Sequence, residues 1–498
     1  MKLWKVAAST AFLCVSGAAA LQAQVTPEEV WQNWQKVSAS YGQALVADSV
    51  TRDGATLVVS GMSFSMEQDG SRLSGKLDTV RFRDLGDGTV EVTMSDTYPI
   101  TMESPGQGDG AEKLSITITQ PGLNLIAGGS ATETSYTFDG PTIGIAAQAQ
   151  KGDKTLADIA ATLTGMTGTY LVKQVGTTSQ LDSNLEAQNL SFTVKANDAN
   201  GGVDMAGKLA ALKMTTAGNF LGVAAMENMA QAVKDGFATR VDFSYGAGSF
   251  SADVTDQNGP SKIAATNETG NLSFGIDGKS LSYGASGTGV SMTLSGAQIP
   301  FPEIKVNYGE AAFNLMIPVA KADSPSAFSL LTKIVDLTVS DEIWGMIDPT
   351  ASLPRDPATV IIDAKGTATL SADLMDKEAM SALNGAPPGD VNSLDLTDLR
   401  VSIAGADLSG TGSFTFDNTD KITFKGLPAP TGKLDLVLKG GNGLLDRLVA
   451  MGLIPQDQAM GARMMIAMFA KPGEGEDVLN STLEFKDKGF YANGQRLQ

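Results

Sequence analysis

Short apolar–polar alternations closed by glycine-rich turns constrain this 498-residue chain more than any other feature. Leu57–Met66, Leu73–Phe82, Thr89–Met94 and Leu114–Thr119 read as successive strands, because neighbouring side chains of a strand point to opposite faces. Asp-Gly pairs punctuate the chain at Asp53-Gly54, Asp69-Gly70, Asp87-Gly88, Asp109-Gly110, Asp139-Gly140 and Asp277-Gly278. Tight hairpin turns need positive φ, which favours this dipeptide. The pattern is that of a meander, not of a βαβ array. Fifty-five glycines and few aromatic residues suit many strands and tight turns, and the apolar content rules out general disorder. The expected fold class is α+β and β-rich. Long antiparallel, meandering sheets with internal duplication would be covered by a few amphipathic helices.

An internal echo supports duplication. Ser63-Phe64-Ser65-Met66 leads through Gly70 to Gly75-Lys76-Leu77, and Ser191-Phe192-Thr193-Val194 leads through Gly202 to Gly207-Lys208-Leu209. A weaker third echo begins at Ser273-Phe274.

Helices are few. Thr26-Pro27-Glu28-Glu29 is a capping box, followed by Val30, Trp34, Val37 and Tyr41 at helical spacing, with Trp31 beside them and Gly42 as the stop. Leu221–Asp235 reads as a second amphipathic helix, with Leu221, Ala225, Met229 and Val233 on one face. A short helix is expected around Ser340–Ile347, and two more at Leu444–Met451 and Pro455–Ala470. The last carries Met460, Met464 and Met468 at four-residue spacing, with Met465, Ile466 and Phe469 alongside. Methionine suits adaptable apolar contact, so this face is the candidate functional surface, weighed against plain core packing on the terminal hairpin. The proline-marked stretch Ile317–Ser326 suggests a boundary. The expected division is residues 1–23 as a signal peptide, 24–320 as an N-terminal β-rich domain and 321–498 as a C-terminal one ending in a helical pair and hairpin.

The signal-peptide reading rests on Lys2 and Lys5, the apolar run Val6–Ala20 and small residues that place cleavage after Ala20 or Ala23. It would remove Cys14, the only cysteine. No later stretch has the length of a transmembrane helix. The net charge of −19 argues against nucleic acid and anionic headgroups as electrostatic partners.

The chain has no histidine. Ser-His-Asp and Cys-His arrangements are therefore impossible, Ser-x-x-Lys does not occur, and zinc and copper lose their preferred ligands. Gly70–Lys76 and Gly202–Lys208 match phosphate-loop spacing. Leu77 and Leu209 replace the Mg²⁺-binding hydroxyl, however, and the context is strand-like. The acidic turns at Asp198, Asp256 and Asp417 lack the distal glutamate of a calcium loop. No cofactor, metal or catalytic residue is assigned.

Asp341-Glu342-Ile343-Trp344, Ile347-Asp348-Pro349, Leu353–Thr359, Leu444-Leu445-Asp446, Ala462–Met465 and Ala492–Leu497 resemble the exported bacterial family designated domain of unknown function 2125, as does Thr26–Trp31. The family label carries no activity. The layout is more loosely similar to AsmA-like envelope proteins, which implies β-structures that handle lipid. The expected function is a periplasmic, non-enzymatic scaffold or carrier for an apolar ligand such as lipid. An envelope protein-interaction module and a carboxylate-dependent hydrolase are the alternatives.

Overall fold

The computed structural model describes residues 24–40, 42–68, 70–105, 111–130, 132–176, 178–197, 200–222 and 228–498. The expected signal peptide with Cys14, Tyr41, the first residue of Asp69-Gly70, the pair Asp109-Gly110 and Asp198 lie outside them. Strand dominates, pairing is antiparallel and helices are few: the fold is β-rich α+β. Among the described residues no helix is long and apolar enough to cross a membrane. The chain divides into two compact units. One runs to Ala265 and takes in Gly296–Gln298; the other holds Thr266–Ser295 and Ile299–Gln498.

The first unit is a meander. Thr56–Gln68 pairs with Ser71–Asp84, whose far edge takes Val90–Met94 and Thr97–Ser104. Glu112–Thr119 and Asn124–Gly129 follow, then the long strands Glu133–Lys151, Lys154–Val175, Thr178–Asn197 and Gly202–Phe220. Helix α1 (Pro27–Ser40) closes the apolar face of the early strands. Its capping box forms as read: Glu29 N–H donates to Thr26 Oγ1 at 3.3 Å, and Thr26 N–H donates to Glu29 Oε2 at 2.9 Å. Trp31 and Trp34 pack on Phe82, with ring centroids 6.2 and 5.2 Å apart. Trp34 Nε1 donates to the Tyr136 hydroxyl at 2.8 Å. Burial drives that hydroxyl's pKa far up, although the Trp34 hydrogen bond opposes the shift. Val59, Val80, Phe82, Val90 and Val92 are sealed from solvent in the resulting core.

Helix α2 (Met229–Lys234) corrects the expected Leu221–Asp235 helix. Phe220 ends a strand, Leu221 and Gly222 are not helical, and residues 223–227 lie outside the described ones. Asn228 caps it by accepting from Gln231 N–H, which fixes the start at Met229.

The second unit is also a meander, from Thr269–Ile276 through Ser280–Gly296, Ile304–Pro318, Ser326–Val339, Ala358–Leu370, Gly389–Ile403, Ala406–Asp417 and Ala429–Lys439 to Val478–Lys486 and Gly489–Ala492. The Ile317–Ser326 stretch joins two paired strands. The helices are α3 (Asp341–Ile347), α4 (Lys377–Ala382), α5 (Gly441–Ala450) and α6 (Gln456–Phe469). Helix α5 starts before the expected Leu444, because Asp477, distant in sequence, receives the N–H groups of Asn442 and Gly443 at 3.2 and 2.8 Å.

Long strands share a crease. Ile159, Ala161 and Leu163 point to the apolar face, and beyond Gly165 (φ 59°) Met166 takes over the apolar phase. A residue with positive φ interrupts the two-residue alternation there, and glycine accepts that conformation without a Cβ clash. The pairing register is the same on both sides, with Thr164 opposite Asn189 and Thr167 opposite Glu186. Both strands therefore spend the same extra residue. Gly289 (φ 58°) does the same in the second unit, between the pairs Thr288–Glu310 and Val290–Tyr308. The Asp139-Gly140 pair, read as a turn, lies inside the strand Glu133–Lys151.

The sequence echo has a packing counterpart. Phe64 lies opposite Gly75 and Phe192 opposite Gly207, and a Cβ at either glycine would run into the facing ring. Phe274 instead faces Tyr283, while Phe328 repeats the arrangement over Gly366.

Candidate functional site: the apolar face of the second unit

Residues paired directly across antiparallel strands lie on the same face. In the second unit one such row runs Phe274, Tyr283, Leu315, Leu330, Ala364, Leu396, Gly412, Leu434, Leu483, Ala492. Every position is apolar. Nine steps of about 4.8 Å make it about 43 Å long, measured along the sheet. Parallel rows add Phe313, Ile334, Val360, Ile362, Val401 and Leu438.

This face is not sealed. Tyr283 is 47% exposed, Phe274 40% and Phe313 38%; Ile334, Val360 and Ile362 are similarly open. The opposite face is polar and laced with ion pairs: Lys333–Glu310 at 2.5 Å, Arg400–Asp407 at 3.0 Å and Lys433–Asp435 at 2.7 Å. Such exposed pairs contribute little to stability, but they keep that side in water. At the C-terminal end the apolar face thickens into an aromatic cluster. Phe485 stacks on Phe490 at 4.8 Å and meets Phe414 and Phe424 edge-on at 6.1 and 5.6 Å.

The methionine helix joins that cluster through Phe469. The Phe469 ring lies 6.4 Å from Phe490, and the Phe469 carbonyl accepts from Ser481 Oγ at 2.6 Å and Asn493 Nδ2 at 2.9 Å. Met460, Met464, Met465 and Met468 point the other way, with Met464 64% exposed. Of the residues singled out from sequence, the structure thus brings Phe469 to the sheet and leaves the methionines outward. The sheet face itself was missed. Its signal was present as alternation within each strand, but alternation does not say whether a face is covered.

One end of this strand array is held by buried or capped carboxylates. Asp348 is closed off from solvent and accepts from Ser352 N–H at 2.9 Å, Leu353 N–H at 2.7 Å and Thr350 Oγ1 at 3.2 Å. Desolvation pushes its pKa up, yet these donors and the Arg355 guanidinium hold it below the ordinary carboxylate value. Asp477 behaves alike: desolvation raises it, while Gly443, Asn442 and Arg463 pull it lower overall. The acidic turns weighed as calcium loops are Asx turns, with Asp256 accepting from Asn258 N–H and Asp417 from Thr419 N–H. Lys76, from the phosphate-loop spacing, sits in a strand and pairs with Asp48 at 2.7 Å.

A depression of about 430 Å³ lies in the first unit between Leu171, Asp182, Asn184, Thr215, Arg240 and Asp242. Their register places them on the opposite face from Leu185, Met214 and Phe243. Arg240 is already paired with Asp242 at 2.7 Å.

Residues 251–494 match the family model of DUF2125, an uncharacterized protein conserved in bacteria. The DUF2125 match covers every C-terminal motif quoted above apart from the last residues of Ala492–Leu497; Thr26–Trp31 precedes it. No curated protein matches the chain. Among solved structures, the crystal structure of BauA, the ferric preacinetobactin receptor from Acinetobacter baumannii, aligns at 7% identity. It covers 90% of this chain and 77% of that one with a TM-score of 0.16, a likeness too low to carry an argument.

Proposed function

We propose that this DUF2125-containing protein is an exported, non-enzymatic envelope protein that carries lipid acyl chains on the apolar face of its second unit. The observation that carries the reading is the uninterrupted row from Phe274 to Ala492, open to solvent at Phe274 and Tyr283 and, in the parallel rows beside it, at Phe313, Val360 and Ile362. Contiguous apolar surface beyond a few hundred Å² is uncommon on soluble monomers and marks binding sites. Each buried methylene of a bound chain contributes about 0.8 kcal/mol, so an acyl chain laid on this face gains substantially without any charged contact. The acidic balance of the chain favours recognition through the apolar tail over an anionic headgroup. The N-terminal charge and apolar pattern supports export.

The test is uptake of a fluorescent long-chain fatty acid by the purified protein, with native mass spectrometry of material from the periplasm. Phe313→Asp and Tyr283→Asp should each reduce uptake at least tenfold while leaving the fold intact by circular dichroism. No uptake by the wild type, or uptake by both variants equal to that of the wild type, would overturn the reading.

A further inference from the structure

We infer that the α5–α6 hairpin is a docking element for the surface of a net-neutral lipid bilayer. Strand connectivity gathers α3, the turn at Ile403 and the α5–α6 hairpin at one end of the second unit's sheet. Val339, Ala358, Ile403, Ala406, Lys439 and Val478 are the strand ends found there. That end carries a set of exposed apolar side chains: Met346 and Ile347 on α3, Ile403, Leu453, and the four methionines of α6.

The hairpin is fixed from its inner side. Asp477 receives Asn442 and Gly443 at the start of α5. Arg463 on α6 reaches Asp446 on α5 at 2.6 Å and also donates to Asn442. Phe469, at the end of α6, is held by Ser481 and Asn493. All these ties draw on residues away from the methionine face, which is presented outward on a rigid support.

Charge selects the occupant. Within Gly441–Ala470 the acids Asp446 and Asp457 are matched by Arg447 and Arg463, so the segment is neutral in a chain of net charge −19. A polyanion, or a bilayer rich in anionic lipid, would repel the rest of the molecule without gaining a basic patch here. A zwitterionic surface imposes no such penalty, and an amphipathic helix lies in its interface with its apolar side buried. The unbranched, polarizable methionine side chain adapts to disordered acyl chains. A protein partner is less well matched. Helix α6 carries no Trp or Tyr, and its one Arg is turned to Asp446, so the usual interface anchors are missing.

This inference does not depend on acyl-chain binding by the sheet. The experiment is flotation of the full chain with phosphatidylcholine vesicles. The wild type should co-float equally at 50 mM and 1 M salt. Met464→Asp with Met468→Asp should cut the bound fraction at least tenfold, and Met464→Leu with Met468→Leu should keep it. These side chains are exposed, so unchanged melting curves verify that the variants fold. Phe313→Asp protein should still float even where it no longer takes up fatty acid, which separates the two proposals. A wild type that stays in the bottom fraction, an Asp variant that floats normally, or binding that needs anionic lipid and fails in salt would overturn the inference. So would a dimer that dissolves with the Asp variant while vesicles are ignored, which would assign the face to a second copy of the chain.

Discussion

The two units solve the same problem differently. Both are antiparallel meanders whose strands keep one apolar face. In the first, α1 lies across that face and seals Val59, Val80, Phe82, Val90 and Val92 completely. In the second, among the described residues, Tyr283, Phe313 and Val360 stay open to solvent with no comparable helix over them. The side chain most fully enclosed there is a carboxylate, Asp348, held by its own loop. Closure comes from two tryptophans in one helix rather than from the strands. The uncovered unit relies more on the hydrogen-bonded carboxylates Asp348 and Asp477 at its strand ends.

The widest gap between the units should come from truncating matched phenylalanines. Phe82→Ala should cost about 3–5 kcal/mol in urea unfolding, the usual result for a sealed ring, and Phe313→Ala less than about 1 kcal/mol. Equal costs would break the contrast. Trp31 and Trp34 report the first unit by fluorescence and Trp344 the second, so the transitions can be followed separately with a Trp344→Phe variant.

Acid should separate the units next. Asp348, Asp477, Asp435 and Asp420 in the second unit all have lowered pKa values, Asp420 chiefly through the Lys488 ammonium. A carboxyl whose folded pKa lies below its unfolded one stabilises the fold above the unfolded value, about 3.8. That contribution is lost as pH falls through the folded value. The urea midpoint of the second unit should therefore drop steeply below pH 4, while Asp87, the one carboxyl with a lowered pKa among the described residues of the first unit, gives it a smaller loss. Without histidine, both midpoints should stay nearly flat from pH 5.5 to 8. A transition near pH 6.5 would contradict this.

Smaller effects probe the closures themselves. Trp34→Phe keeps the ring over Phe82 but leaves the buried Tyr136 hydroxyl without its donor, and should cost about 1–2 kcal/mol in the first unit. Asp477→Ala removes the carboxylate that caps α5 and should cost about 1 kcal/mol. Amide exchange should speed up across Gly441–Ala470 and leave the first unit unchanged.

Much of the fold was legible in the sequence because its determinants are local. The capping box at Thr26, the helix Pro455–Ala470 and the hairpin turns at Asp53-Gly54, Asp87-Gly88 and Asp277-Gly278 depend on neighbours within a few residues. The long strands were harder to read. In Lys154–Val175 the apolar phase changes at Gly165, so a period-two count sees two short strands where one crosses the crease. The start of α5 was misjudged because its cap, Asp477, is more than thirty residues away. The open sheet face was invisible for a different reason. Val59 and Phe313 alternate alike, and only tertiary packing by Trp31 and Trp34 distinguishes a sealed core from an available surface.

The meander also sets how the molecule can be assembled. Almost every strand of the second unit is templated by its predecessor, so pairing is local in sequence except where a helix is carried between strands, and each addition exposes a fresh edge for the next. Growth by such accretion needs a terminator, since an unfinished edge recruits strands from other molecules. Lys471–Pro472 lies along the outer edge of Val478–Lys486, where proline has no N–H to offer a further strand, and the four-residue Gly489–Ala492 occupies the rest. The last strands thus act as an end-stop, and replacing Pro472 with a residue that restores the N–H would reopen the ladder to other molecules.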